Sequence, residues 1–419
     1  MKRAAIAIAI FALLGLRAAA VEPPDGRAEL YRAVLASPGG ELPFLLELES
    51  RDQTHRAWII NGRERIEVPR VSVDSRQITL DIEHFASTIT AVPANRTRVL
   101  RGEWKKRVGR NKWSTLPFSA EPARGYRFTP LTRKENGPEA FTPISGRWRV
   151  RFSKSSEPAV GIFECLANGV VEGTFLTTTG DYRFLAGSYE MGRLRLSCFD
   201  GAHAFLFDAR IKSDGTLEGD FWSRDTWHET WTATRDDSAE LPDGFTLTKY
   251  SDRVRLDELE FPDLEGRPRS LNDPEFRGKV RILELFGSWC PNCHDAARFL
   301  VDLDRRYRDR GLRILGLAFE TTGDRKRDAA QVRRFIKRHD LGYPILIAGI
   351  ADKKAASKVL PFLDRLRAYP TTVLLRADGS VRAAHTGFTG PASVREHQEH
   401  RRRFESMIES ALDEAGAGP

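Results

Sequence analysis

The sequence predicts an α+β protein with two parts, an N-terminal antiparallel β region and a C-terminal α/β domain. The chain has 419 residues, more than one ordinary domain packs around a single core. Residues 21–240 hold short segments in which apolar and polar residues alternate, separated by turn signals. Residues 250–415 instead alternate strand patterns with helical patterns, which is typical of a sheet covered by helices.

The first twenty residues have the pattern of a secretory signal peptide. A basic start, Met1–Arg3, precedes the apolar run Ala4–Leu16, and the small residues Ala18–Ala20 satisfy the cleavage rule. The apolar run is too short to span a bilayer comfortably. We therefore expect residues 1–20 to be cleaved and the protein to be periplasmic or otherwise exported, and soluble afterwards. A retained N-terminal anchor is the alternative.

Residues 21–240 are predicted to form an antiparallel, lipocalin-like β-barrel. Dipeptides typical of tight turns, such as Asn61-Gly62 and Asp214-Gly215, separate the strand patterns at short intervals. A link at residues 132–143 that contains glycine and proline interrupts the pattern once. One closed barrel across both parts is the first expectation, and two smaller β units divided near this link are the second.

The α/β domain at residues 250–415 is predicted to alternate three strands with three helices and to end in a hairpin and a helix. The first core strand is "RILELFG", and "PNCHDAARFL" begins the helix that follows it. The third helix is expected to run from Asp352 to Ala368. This order predicts a mixed sheet with helices on both faces.

Cys290 and Cys293 form a Cys-x-x-Cys pair between that first core strand and its helix. Structural zinc usually needs four ligands, and no second Cys-x-x-Cys or histidine pair accompanies this one, so no metal is expected. The intervening loop is too short for a structural disulfide to remove much unfolded-state entropy. The pair is therefore interpreted as a redox-active disulfide that needs no other cofactor.

The position of Cys290 favours a reactive thiolate. Free amides and the positive end of the helix dipole stabilise a negative charge at a helix start. Pro291 has the backbone geometry of the first helical position. We expect Cys290 to be the nucleophile and Cys293 to be the thiol that resolves the mixed disulfide.

The motifs "FGSWCPNC" and "AYPTTVLL" resemble those of the thioredoxin superfamily. Residues 254–412 as a whole are similar to the exported TlpA/ResA-type thiol:disulfide reductases. The resemblance implies a thioredoxin-like fold for the C-terminal domain and reduction of disulfides in exported proteins. It also implies re-reduction of the Cys-x-x-Cys pair by a membrane thiol-electron transporter.

The resemblance assigns roles to residues around the cysteine pair. Trp289 matches the family tryptophan that shields the nucleophile and shapes the docking surface. Pro370 matches the cis-proline that faces the active-site disulfide. A cis bond there leaves the Tyr369 backbone free to pair with an extended substrate, with Thr371 in the same substrate-binding segment.

Glu284 stands six residues before Cys290, where thioredoxin has a buried acid below the resolving cysteine. Desolvation should raise its pKa and let it take the proton of Cys293. The alternative is a strand residue with its carboxylate at the sheet edge. The Pro-Asn dipeptide between the cysteines does not fix the redox potential, so the direction of electron flow stays open; the TlpA-like context favours reduction.

Two other functions use different features. A peroxiredoxin-like peroxide reductase would have proline and threonine at the positions of Leu283 and Gly287. Alternatively, the barrel binds a small ligand or an envelope component, with "FWSRDTWHETW" (Phe221–Trp231) at its mouth, although such residues more often form a core. Nucleic acid is not an expected partner, because 66 basic residues are mixed with 58 acidic ones and no nucleic-acid motif is found.

Cys165 and Cys198 both lie in the β region. In an oxidising compartment they can form a structural disulfide, worth about 3 kcal/mol for a loop of this length. They can equally pack as two small apolar side chains. The sequence favours neither.

Overall fold

A computed structural model describes residues 28–416, apart from residues 53, 75, 95–97, 124–125, 129–143, 167–168 and 252–255. The predicted signal peptide and the predicted link at residues 132–143 lie outside the described residues. None of the helices in the described part of the chain is long and apolar enough to cross a membrane.

The first part of the β region is a nine-stranded antiparallel sheet with the strand order β4-β3-β2-β1-β9-β8-β7-β6-β5. Its two outer strands, β4 and β5, follow each other directly in the chain, so the sheet curls around one apolar core. Its strands are β1 (Ala28–Ser37), β2 (Gly40–Arg51), β3 (Thr54–Asn61), β4 (Glu64–Glu67), β5 (Arg70–Val73), β6 (Ile78–Ile82), β7 (Ser87–Pro93), β8 (Leu100–Arg107) and β9 (Trp113–Pro122).

The second part is a closed eight-stranded antiparallel barrel, in which β11 pairs with both β10 and β12. The short β13 pairs with the end of β12 and is not part of the closed ring. The strands are β10 (Gly146–Phe152), β11 (Ala159–Cys165), β12 (Val170–Thr177), β13 (Gly180–Asp181), β14 (Leu185–Glu190), β15 (Arg193–Phe199), β16 (Ala204–Ile211), β17 (Leu217–Ser223) and β18 (Trp227–Arg235).

The single barrel expected across both parts is wrong, and the two-unit alternative describes the molecule. Each set of strands is completed within itself, because β1 pairs with β9 and β10 pairs with β18. The units pack together through Asn61, whose side-chain amide donates to the Phe199 carbonyl (2.8 Å) and whose Oδ1 accepts from the Phe199 amide (3.1 Å). The turn residue that the sequence identified is therefore also a buried contact between the units.

The C-terminal domain has a five-stranded mixed sheet with the order β23-β22-β21-β24-β25. β21 is the central strand, parallel to β22 and antiparallel to β24. The remaining elements are α1 (Gly244–Leu247), β19 (Glu260–Pro262), β20 (Pro268–Ser270), β21 (Val280–Phe286), α2 (Pro291–Tyr307), β22 (Leu312–Glu320), α3 (Arg325–His339), β23 (Ile345–Ile350), α4 (Lys353–Val359), β24 (Thr371–Leu375), β25 (Val381–Thr386) and α5 (Val394–Gly416).

The predicted mixed sheet and its order of strands and helices are confirmed, with one helix shorter than expected. α4 ends at Val359 and does not continue to Ala368. Leu360 leaves the helical region (φ −123°, ψ 61°) because it precedes Pro361, whose ring disfavours helical geometry in the preceding residue.

Candidate active site

The two cysteines of the Cys-x-x-Cys pair lie where the fully buried strand β21 gives way to α2. Cys290 is the residue that precedes the first helical turn, and Pro291 opens the helix. Both sulfurs are free thiols and both residues are buried, Cys290 with 8% and Cys293 with 1% of its surface exposed. The structure therefore shows the dithiol form of the pair.

The surroundings of the two thiols shift their pKa values in opposite directions. Burial by itself raises the pKa of Cys290, but the Cys293 thiol, the amides of Cys293 and Asn292 and the charge of Arg183 outweigh it, so the pKa is lowered. Burial and the neighbouring Cys290 sulfur hold the pKa of Cys293 well above its ordinary value. The surroundings thus favour loss of the proton at Cys290 and retention of the proton at Cys293.

Glu284 lies on the central strand of the sheet and is 3% exposed, so the alternative of a carboxylate at the sheet edge is wrong. Burial raises its pKa to about 8, although the hydroxyl of Thr372 donates to its Oε2 (2.7 Å). Its other oxygen, Oε1, is buried and has no hydrogen-bond partner in the structure. Negative charge on Glu284 raises the pKa of Cys293, so the carboxyl group and this thiol act on each other electrostatically.

The Tyr369–Pro370 peptide bond is cis, as the resemblance implies. The Tyr369 carbonyl accepts a hydrogen bond from the Cys290 thiol (3.5 Å), which places this loop directly against Cys290. Thr371 is completely buried and its hydroxyl donates to the Ala368 carbonyl, so its side chain does not reach the surface at which a substrate would bind.

Trp289 directly precedes Cys290, and its indole N–H donates to the Phe319 carbonyl (2.9 Å). Its ring meets that of Tyr369 edge to face, with centroids 5.7 Å apart. The preceding Ser288 donates from its amide and its hydroxyl to Glu320 (2.8 Å each), which fixes the backbone just before this tryptophan.

Arg183, which the sequence analysis did not identify, is a buried cation in the loop between β13 and β14. It forms ion pairs with Glu64 of the first β unit (2.7 Å), Asp200 of the barrel (3.6 Å) and Asp295 of α2. One guanidinium thus joins all three parts of the molecule one turn from the cysteines. No sequence signal pairs Arg183 with Asp295, since they are 112 residues apart.

The same barrel loop packs against the dipeptide between the cysteines. The Asn292 side-chain amide donates to the Asp181 carbonyl (3.3 Å), and the Asp181 carboxylate accepts from the Gly390 amide (2.6 Å). Gly180 has φ +139°, and a Cβ there would collide with the Asn292 amide nitrogen. A glycine is therefore required where the barrel touches the Cys-x-x-Cys motif.

A partly open cavity of about 550 Å³ separates the barrel mouth from Cys290. On the side of the C-terminal domain it is lined by Trp289, Cys290, Asn292 and Tyr369. Part of the stretch Phe221–Trp231 lines the opposite side, so the structure places that segment at the barrel mouth as well as in its core. The Cys290 sulfur therefore faces a second domain across a partly open space.

The barrel interior itself is filled. The rings of Phe175, Phe207, Phe221 and Trp231 contact one another along its axis, with Phe175 and Phe207 stacked at 4.5 Å. A closed barrel of eight strands has an interior just wide enough for side chains to fill. Ligand binding inside this barrel is therefore not supported.

The structure has Cys165 and Cys198 as free thiols, so the disulfide that the sequence allowed is not formed. Cys198 is fully buried among the apolar side chains of the barrel core, and Cys165 packs at its edge. In the described part of the chain, no cluster of three or more His, Cys, Asp or Glu side chains could hold a metal ion. His294 instead contacts His339 (2.7 Å between ring nitrogens).

A mixed sheet with a dithiol at the start of α2 and a cis-proline loop against it defines a thioredoxin-fold domain. Residues 254–384 match the model of the AhpC/TSA family. A thiol-disulfide oxidoreductase ResA from Bacillus thuringiensis is 31% identical over 119 residues, which are 28% of this chain and 60% of that relative. The corresponding protein from Geobacillus thermodenitrificans is 31% identical over 137 residues, 33% of this chain and 70% of that relative.

Among solved structures, a putative thiol:disulfide interchange protein DsbE from Chlorobium tepidum is 19% identical, with a TM-score of 0.28. It is matched over 36% of this chain and 92% of its own length. The chain belongs to the thioredoxin superfamily, with a ResA-like C-terminal domain. The chain spans 60% of the length of the Bacillus thuringiensis relative, and the β units lie outside the residues 254–384 that match the family model.

Proposed function

We propose that the protein is an exported thiol:disulfide oxidoreductase that reduces disulfides through Cys290 and Cys293. The observation that carries this proposal is the pairing of a thiol of lowered pKa, Cys290, with a buried thiol of raised pKa beside it. The names of the relatives support the same reaction class. The pattern of the first twenty residues supports export.

The reaction proceeds in two exchange steps. The Cys290 thiolate attacks one sulfur of the substrate disulfide, forms a mixed disulfide and releases the first substrate thiolate, which takes a proton from solvent. Cys293 then loses its proton to the Glu284 carboxylate and attacks the Cys290 sulfur. The Cys290–Cys293 disulfide forms, the second substrate thiolate leaves, and two electrons have passed to the substrate.

The pKa of Glu284, about 8, suits this proton transfer because a general base works best when its pKa lies near the working pH. Its unpaired Oε1 leaves an acceptor for the Cys293 proton. Regeneration of the dithiol needs an external two-electron donor. By resemblance we assign that role to a membrane thiol-electron transporter. By the same resemblance, the expected substrates are disulfide-bearing exported proteins.

The direction of electron flow is tested by trapping the redox state in cells. Acid quenching followed by alkylation with a mass-tagged maleimide should find most of the Cys290–Cys293 pair as dithiol if the protein is a reductase. A mostly oxidised pair would make the protein an oxidant and contradict the proposal. The Cys290→Ser/Cys293→Ser double variant is the control that identifies the bands.

The peroxide-reductase alternative is tested with the purified, reduced protein. Hydrogen peroxide should oxidise the Cys290–Cys293 pair far more slowly than a reactive aromatic disulfide does. The reverse order would favour the peroxidase. Cys165→Ser serves as a matched control, because its thiol lies at the edge of the barrel core and away from the cavity.

A further inference from the structure

The space in front of Cys290 limits what can reach its sulfur. A folded protein partner typically covers about 800 Å² of surface on each side of an interface. Here the nucleophile, 8% exposed, lies at one wall of a 550 Å³ cavity whose opposite wall is the barrel. Cavities of about 300–1,000 Å³ are typical of small-molecule sites. The size thus fits a compact substrate rather than a protein surface.

Several contacts between the barrel and the C-terminal domain hold the barrel in position over this cavity. Arg183 pairs across the interface with Asp295, and Asn292 donates to the Asp181 carbonyl. A buried guanidinium with carboxylates on three structural units is costly to separate, because each freed charge must be rehydrated or left unpaired. These contacts therefore keep the two walls of the cavity in a fixed position relative to each other.

Two cations line the cavity. Lys106, from β8, is 5% exposed, and its ammonium donates to the Phe85 carbonyl (3.1 Å). Burial lowers its pKa to about 8, and the nearby Cys290 charge opposes that shift. Arg224, in the turn between β17 and β18, is half-buried and forms no ion pair with any described residue. It also holds φ +57°, an uncommon conformation for a residue with a side chain.

Two of the three acidic side chains that line the cavity are already engaged, and the third, Glu157, is exposed. The Asp181 carboxylate accepts from the amides of Arg183 (3.0 Å) and Gly390 (2.6 Å). Glu229 accepts from the Lys154 amide (3.0 Å) and the Trp227 indole (2.9 Å). Among the buried and half-buried charged side chains at the cavity, those left to meet a ligand are therefore the two cations.

Two neutral groups beside the cysteine also lack partners. Asn292 Oδ1 and the Tyr369 hydroxyl are buried with no hydrogen-bond partner, and both residues line the cavity. Buried polar atoms without partners are rare in folded proteins, and a bound ligand is one way to satisfy them. An amide or ammonium N–H would suit the Asn292 oxygen, and a carboxylate or carbonyl would suit the tyrosine.

We propose that the cavity binds a small disulfide that carries carboxylates, such as an amino-acid or short-peptide disulfide, and presents its sulfur to Cys290. Arg224 and Lys106 receive the carboxylates, and the aromatic wall of the barrel mouth covers the apolar part. The proposal rests on the exchange chemistry proposed above and replaces protein disulfides as the substrate class. Atoms and electrons balance as before, with one disulfide and the enzyme dithiol giving two small thiols and the Cys290–Cys293 disulfide.

The test uses the full-length, pre-reduced protein and four disulfides: 3,3′-dithiodipropionate with two carboxylates, uncharged hydroxyethyl disulfide, cystamine with two ammonium groups, and insulin. Each second-order rate constant is divided by that of dithiothreitol with the same disulfide. We expect the normalised constant for dithiodipropionate to exceed that for hydroxyethyl disulfide about tenfold, as charge-assisted hydrogen bonds allow. Cystamine and insulin should react more slowly than the uncharged disulfide.

The variant Arg224→Gln should lower the ratio of dithiodipropionate to hydroxyethyl disulfide severalfold. The matched control Arg210→Gln removes an exposed arginine outside the cavity and should leave the ratio unchanged. Partial unfolding lowers both rate constants alike, so the ratio reports binding and not stability. Equal constants for the three small disulfides, or insulin as the fastest substrate, would overturn the assignment while the exchange chemistry stands. No reaction with any of the four would overturn the proposed function itself.

Discussion

The barrel and the C-terminal domain each bury a cysteine, and the pKa values of the two thiols are shifted in opposite directions. Cys198 lies on β15 in the barrel core, where burial holds its pKa well above the ordinary value. Cys290 is also buried, yet its pKa is lowered, because amides at the start of α2, the Cys293 thiol and Arg183 act on it. Burial alone therefore does not decide the reactivity of a thiol.

The difference comes from which polar groups face the sulfur. A strand in a sheet uses its amides in pairing with neighbouring strands, and the Cys198 strand is paired on both sides. The first turn of a helix leaves amides unpaired, and the sulfur that precedes it can accept from them. A cysteine at a helix start is thus activated where a cysteine in mid-strand is not.

The largest expected effect separates the two cysteines directly. Cys290→Ser should lower disulfide reduction at least about a thousandfold, because a serine hydroxyl is a far weaker nucleophile than a thiolate at neutral pH. Cys198→Ser should leave the rate per folded molecule unchanged. Reduction of a small aromatic disulfide, followed by absorbance, measures both. A large rate loss in the Cys198 variant with an intact fold would contradict the comparison.

Arg183→Gln should have the next largest effect. It leaves Glu64, Asp200 and Asp295 without their shared cation, and removing one partner of a buried ion pair costs about 3–5 kcal/mol. Urea unfolding measures this loss. The pKa of Cys290 should rise as well, because Arg183 lowers it in the native protein, and the pH dependence of its alkylation reports that shift.

The control for this variant is Arg193→Gln, whose ion pair with Asp208 lies on the surface. Exposed pairs are worth about 0–1 kcal/mol, so stability should barely change and the pKa of Cys290 should stay the same. If both variants lost the same stability, the buried cluster would have no special role.

Glu284→Gln should slow resolution of the mixed disulfide about a hundredfold, since it removes a proton acceptor for Cys293. Rapid-quench trapping of the mixed disulfide measures this step apart from the first attack, which should keep its rate. Glu190→Gln, an exposed glutamate on the barrel, is the matched control. Equal resolution rates in the two variants would remove Glu284 from the reaction.

The same variant should change how stability depends on pH. The pKa of Glu284 is raised to about 8 in the folded protein from an ordinary value of 4.5, so the native state keeps a proton that the unfolded chain has lost. Stability from this group is therefore present below about pH 4.5 and falls as pH rises towards 8, by at most about 1.4 kcal/mol per pH unit. In Glu284→Gln that part of the slope should disappear, which urea unfolding at several pH values detects.

The smallest effect is expected for Cys198→Ala. Removing one buried sulfur leaves a small void in the barrel core, which should cost about 1 kcal/mol of unfolding free energy. Thermal unfolding measures the change. A loss several times larger would show that the thiol does more than fill space.

Much of the fold was predictable because its signals are local. The apolar run of β22 and the turn at Asn61-Gly62 act over a few residues, and the structure has both where the sequence predicts them. The division of the β region into two units was not predictable, because the pattern of apolar and polar residues does not say which strands pair to complete each sheet. Those pairings join β1 to β9 and β10 to β18 across most of each unit.

The sequence by itself determined where the cysteine pair lies in the fold. A strand, two cysteines and a proline-led helix suffice to place Cys290 at free amides, since that chemistry needs only one turn of backbone. Only the tertiary structure decided what faces the pair: Arg183 beside it, Gly180 against Asn292, and a barrel mouth across the cavity. Charge and burial depend on distance in space, and Asp181 and Asn292 lie 111 residues apart in a sequence that carries no signal of their contact.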